Sequence, residues 1–144
     1  MNRSKIFGAG ALAALMVLAT AGPALAKPLT EKQWRKQARE ICTQTGNEIG
    51  ALDAEMLQDY VQPTPEQVAA FVERAVPVFE EGIGALVALE EPKALHADVK
   101  RLLRTATKEL NALRDDPSIL IETAGNAIPK TQKLSGELGI KCPG

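Results

Sequence analysis

Residues 30–56 read TEKQWRKQAREICTQTGNEIGALDAEM, and this stretch decides the fold class. Thr30 with Gln33 three positions later forms a capping box, in which each side chain bonds the other residue's backbone N–H at a helix start. Behind it an apolar line of Trp34, Ala38, Ile41, Ile49, Leu52 and Met56, with Thr45 filling a gap, advances by threes and fours. That spacing is one face of an α-helix packed on other helices. The helix is expected to end near Tyr60, because Pro63 and Pro65 follow. It also carries Cys42.

Three further segments show the same periodicity. Thr64-Pro65-Glu66-Gln67 repeats the capping box, with Pro65 where its missing N–H costs nothing, and Val68, Phe71, Val72, Ala75, Phe79, Ile83, Leu86 and Leu89 line one side. Pro77 inside this helix is expected to kink it, and Gly82 and Gly84 to weaken it. Pro92 opens a third helix, with Leu95, Val99, Leu102, Leu103, Ala106, Leu110 and Leu113 inward. Asp116-Pro117 opens a fourth, with Leu120, Ala124, Ala127, Ile128, Thr131, Leu134 and Leu138 inward, and Gly139 stands where a left-handed C-cap belongs. Connections of a few residues make neighbouring helices antiparallel. The expected architecture is an all-α, up-down-up-down four-helix bundle over residues 27–144.

The N-terminus reads as an export signal. Arg3 and Lys5 give a positive start, Ile6 to Ala21 is uncharged and mostly apolar, Gly22-Pro23 breaks the helix, and Ala24-Leu25-Ala26 is a small-x-small cleavage site. Residues 1–26 are therefore expected to be a signal peptide cut after Ala26. An uncleaved membrane anchor is the alternative, since the stretch is nearly long enough to span a bilayer. Gly22-Pro23 and the small-residue site favour cleavage, and with it no stable membrane insertion. In an exported chain the two cysteines, Cys42 and Cys142, read as one disulfide, because the compartment is oxidising. The bridge would tie the tail to the first helix.

Composition closes off several functions. Removal of residues 1–26 takes two basic residues and no acidic one, leaving 15 basic against 18 acidic and a net charge of −3. Nucleic acid and anionic membrane both require a basic patch, and aromatic residues make up only 3 % of the chain, poor material for stacking. The single histidine, His96, is preceded at three residues by Lys93, so the Glu-x-x-His pair of di-iron bundles is absent, and no cofactor or metal set can be assembled. The mature chain offers only Ser118 and Ser135 as serine nucleophiles, neither in a strand-turn-helix elbow. The carboxylate pairs Glu80-Glu81, Glu90-Glu91 and Asp115-Asp116 are adjacent in sequence, so they point in different directions. Lys100, Arg101, Arg104 and Lys108 make a basic stripe, read as a solvated face balanced by Asp98 and Glu109.

Ala38-Arg39-Glu40-Ile41-Cys42, followed by Asn47 and Ala51-Leu52, the run from Leu86 to Pro92, and Leu138-Gly139 near Cys142 resemble a group of small exported α-helical proteins of high-GC Gram-positive bacteria. Members of that group are secreted proteins or lipoproteins of unknown function. The resemblance implies a helical fold and a disulfide, and carries no catalytic residue. Lys27, not a cysteine, stands directly after Ala26, so this chain departs from the lipoprotein members.

The expected function is non-catalytic binding in the cell envelope or outside the cell, with an envelope or extracellular protein as partner. The alternative is a carrier of a small apolar ligand in the bundle core. Pro77, Gly82 and Gly84 are the residues expected to open a gap in that core, and a carrier needs an enclosed apolar cavity near Phe79 and Ile83. An interaction module needs a filled core and an exposed apolar patch.

Overall fold

The computed structural model describes residues 28–57 and 62–142. The described residues are all-helical: α1 Glu31–Met56, α2 Pro65–Ala88, a 3-10 turn Lys93–Leu95, α3 His96–Asp115, α4 Ile119–Glu122 and α5 Pro129–Glu137. The expected signal peptide and its cleavage position after Ala26 lie outside them.

Both capping boxes form. Thr30 N–H donates to Gln33 Oε1 at 3.0 Å and Gln33 N–H to Thr30 Oγ1 at 3.3 Å. The same pair of bonds joins Thr64 and Gln67 at 2.8 and 3.3 Å. α1 stops at Met56, short of the expected Tyr60, with Leu57 N–H closing the last turn on the Asp53 carbonyl. α2 continues as one helix across Pro77, which lies on the exposed side. There the carbonyl that loses its partner can turn to water.

The expected fourth helix is two helices. α4 ends after one turn at a pair of positive-φ residues, Ala124 (φ 50°) and Gly125 (φ 86°). Gly125 N–H reaches back to the Leu120 carbonyl at 2.8 Å and Ala124 N–H to Ile121 at 3.1 Å, the Schellman pattern of a helix end. Pro129 then stands at the first turn of α5, the one place in a helix where its missing N–H is harmless. α2 carries Pro77 within one helix, so proline alone does not force the break; here the left-handed pair Ala124-Gly125 has already ended α4 before Pro129 is reached. Gly139 (φ 74°) ends α5 as expected, with Ile140 N–H on the Ser135 carbonyl at 2.8 Å.

Pairwise contacts fix the directions. Thr45 faces Gly82 while Glu55 pairs with Arg74, so α1 and α2 run opposite ways. Glu109 bonds Thr131 while Leu102 and Leu138 share a core cluster, so α3 and α5 do likewise. The core has two parts. One gathers Trp34, Ala38, Leu95, Val99, Leu102, Leu138 and Ile140; the other gathers Val68, Phe71, Val72, Ala75, Val76, Leu113 and Leu120. Trp34 is fully buried, and its indole N–H has no hydrogen-bond partner.

The Cys42–Cys142 disulfide is present, with Cα atoms 5.1 Å apart and no free cysteine among the described residues. Two arginines of α1 reinforce the same junction. Arg35 Nε donates to the Leu138 carbonyl at 2.9 Å and Arg39 Nη2 to the Gly139 carbonyl at 3.2 Å. Cations at the end of α5 also oppose its dipole favourably. α1 and α5 meet at this end, and they share no extended packing along their lengths.

Candidate functional site

The unclosed seam between α1 and α5 is an apolar groove of about 1000 Å³. Its wall on α1 is the row Ile41, Thr45, Ile49, Asp53 and Leu57, each four residues from the last. α2 supplies Phe71, Ala75, Phe79 and Ile83, and α3 supplies Leu102, Leu103, Ala106 and Leu110. The opposite wall comes from the broken fourth segment, through Ile121, Ala127, Ile128 and Thr131. Cys42, Cys142 and Ile140 close the disulfide end.

Burial along α1 records the opening. Trp34 and Ala38 are fully buried, whereas Ile41, Thr45 and Ile49, which continue that face and line the groove, are only half-buried. The split at Ala124-Gly125 and the small residues Gly46 and Gly50 on α1 leave the space. A side chain at Gly50 would meet nothing within 4 Å.

The gap lies at Phe79 and Ile83, but the features of α2 expected to make it do not. Gly82 is filled by Thr45, Gly84 faces open space, and Pro77 points outward. The cause sits on α1 and in the α4–α5 break. The legible signal for it was Gly125 with Pro129, and the polar and small residues at Thr45, Gly46 and Gly50 on an otherwise apolar face.

The remaining chemistry-bearing residues do structural work. Glu109 does not balance the basic stripe. Its carboxylate accepts Lys130 N–H at 2.9 Å, Thr131 N–H at 2.8 Å and the Thr131 hydroxyl at 2.7 Å, which caps α5 from α3. Lys100, Arg101, Arg104 and Lys108 are exposed, and none joins an ion pair among the described residues. Asp116 Oδ1 accepts both the N–H and hydroxyl of Ser118, at 3.0 and 2.6 Å. Ser135 is buried and its hydroxyl donates to the Gln132 carbonyl at 2.8 Å.

His96 is exposed and lies 2.7 Å from Glu91 through Nδ1. The Glu91 carboxyl is held below the usual range, first by its own backbone N–H and then by the His96 hydrogen bond. Glu55 is lowered by the hydrogen bond and charge of Arg74, and Glu66 by its backbone N–H and the Thr64 hydroxyl. All three are surface groups away from the groove lining. Among the described residues no three or more His, Cys, Asp or Glu side chains gather as a metal site, and no helix is long and apolar enough to cross a membrane.

In comparison with known proteins, the chain matches no family model, no curated protein and no solved structure. The functional reading therefore rests on the groove and on the sequence.

Proposed function

We propose that this chain is an exported, non-catalytic binding protein, built as a four-helix bundle with a split fourth helix, that carries a small apolar ligand in the groove between α1 and α5. The observation that carries the reading is a gap of about 1000 Å³ lined mostly by aliphatic side chains, within a domain otherwise packed from the same residue types. Its volume stands at the upper end of small-molecule sites, and the interior of a helical bundle is a recurrent place for them. Binding would give the half-buried face of α1 further apolar contact.

Export is supported by the N-terminal signal pattern, and an oxidising compartment is compatible with the disulfide. The competing reading, a protein-interaction module, needs a contiguous exposed apolar patch. Among the described residues the large apolar side chains left exposed are Val87 and Ile121, on different helices, and Ile121 belongs to the groove. The carrier reading therefore leads.

Titration of the disulfide-intact mature protein with Nile red, an uncharged dye that fluoresces in apolar surroundings, tests the proposal. A saturable signal is expected, and it should fall at least tenfold in affinity for Gly50→Trp, which fills the groove from α1. An absence of saturable binding by the folded wild-type protein would overturn it.

A further inference from the structure

Building on the carrier reading, we infer that the groove selects an elongated, electrically neutral ligand, such as a long-chain ester or an isoprenoid, over a free fatty acid or any other lipid anion. Two independent observations converge on this class.

The first is length. The α1 wall extends from Ile41 through Thr45, Ile49 and Asp53 to Leu57. At 1.5 Å per residue those sixteen steps span about 24 Å. A wall of that length on a single helix face, aliphatic at Ile41, Ile49 and Leu57 and polar at Thr45 and Asp53, with a small residue at Gly46 and an empty position at Gly50, matches an extended chain lying parallel to α1. A compact ring system would use only part of it.

The second is charge. Among the described residues no Lys, Arg or His lines the groove, and the one ionisable side chain there is Asp53, a carboxylate. The arginines nearest the disulfide end, Arg35 and Arg39, are committed to the Leu138 and Gly139 carbonyls. The hydroxyl donors on the α5 side are committed too, Thr131 to Glu109 and Ser135 to Gln132. A carboxylate or phosphate entering here would lose its water, find no cation among the described lining residues, meet only neutral donors such as the Thr45 hydroxyl and the Gln62 and Gln132 amides, and face Asp53. A neutral ester or hydrocarbon incurs none of these losses.

Competition against bound Nile red reads the selectivity directly. Methyl palmitate is expected to displace the dye with an affinity at least tenfold higher than palmitate at a pH where the acid is ionised. Gly50→Lys places a cation in the open position on α1, and a helix interior accepts lysine better than glycine. This variant should bring palmitate up to parity with its ester while helicity is unchanged. Equal displacement by acid and ester in the wild type would overturn the charge selection and leave groove binding standing. Dye binding that neither lipid displaces would overturn the elongated-ligand assignment. A failure of the dye itself to bind would instead remove the carrier reading on which this inference rests.

Discussion

Thr45 on α1 occupies the space where Gly82 on α2 lacks a side chain: a methyl group at Gly82 would lie 3.2 Å from Thr45 Cγ2, 3.3 Å from its Cβ, and closer still to its hydroxyl. This contact sets how near the two long helices approach, and so how much of the α1 face is left to the groove. Gly82→Ala is expected to cost about 1–3 kcal/mol, as overpacking does in a close helix contact. The double variant Thr45→Ala/Gly82→Ala should recover most of the loss, because the two closest Thr45 atoms are gone. Urea midpoints of the two single variants and the double variant measure it, and a strictly additive cycle would count against the contact.

Glu109 is a cap supplied from another helix. It satisfies two backbone N–H groups at the start of α5 and adds negative charge where the helix dipole favours it. Glu109→Ala should destabilise the domain by about 1–2 kcal/mol, comparable to loss of a strong N-cap. Amide exchange should rise first within α5, with α2 little affected.

Ala124 bears a left-handed conformation at φ 50° without being glycine. The fold carries the roughly 1–2 kcal/mol that this geometry costs an L-residue, and glycine would remove it at some expense in chain entropy. Ala124→Gly is therefore expected to raise stability by about 0.5–1 kcal/mol. A fall in melting temperature would mean that the α4–α5 break is held by something other than this turn.

The Cys42–Cys142 bridge closes a loop of 100 residues, nearly the whole domain. On the chain-entropy model such a closure is worth about 4–5 kcal/mol. Cys42→Ser should lower the melting temperature substantially and keep far-ultraviolet helicity, since the Arg35 and Arg39 bonds and the packing of Ile140 still hold the tail. An unchanged melting temperature under oxidising conditions would contradict the structural role.

Most helix starts were legible because their chemistry is local. Thr30 with Gln33 and Thr64 with Gln67 announce themselves within four residues, and Gly139 marks its own end. The inward faces of α2 and α3 followed from spacing alone. The break in the fourth segment was not read, because the inward set from Leu120 to Leu138 keeps helical spacing across it, and the left-handed pair Ala124-Gly125 ends α4 without disturbing that pattern. Glu109 and Arg35 were misread or passed over for another reason. Their partners lie 22 and 103 residues away, and nothing in a single sequence connects them. The groove reaches Phe79 and Ile83 but is open rather than enclosed, and the glycines and proline of α2 do not make it, since they resemble an opening more than they form one.

The central claim is that the α1–α5 groove holds a ligand. Native mass spectrometry on the protein recovered from its own host tests it most directly. The account predicts a reproducible extra mass, lost on denaturation, with the mass of a neutral apolar molecule. A bare polypeptide lighter by the two hydrogens of the disulfide, with no adduct in repeated preparations and no uptake of added neutral lipid, would contradict it.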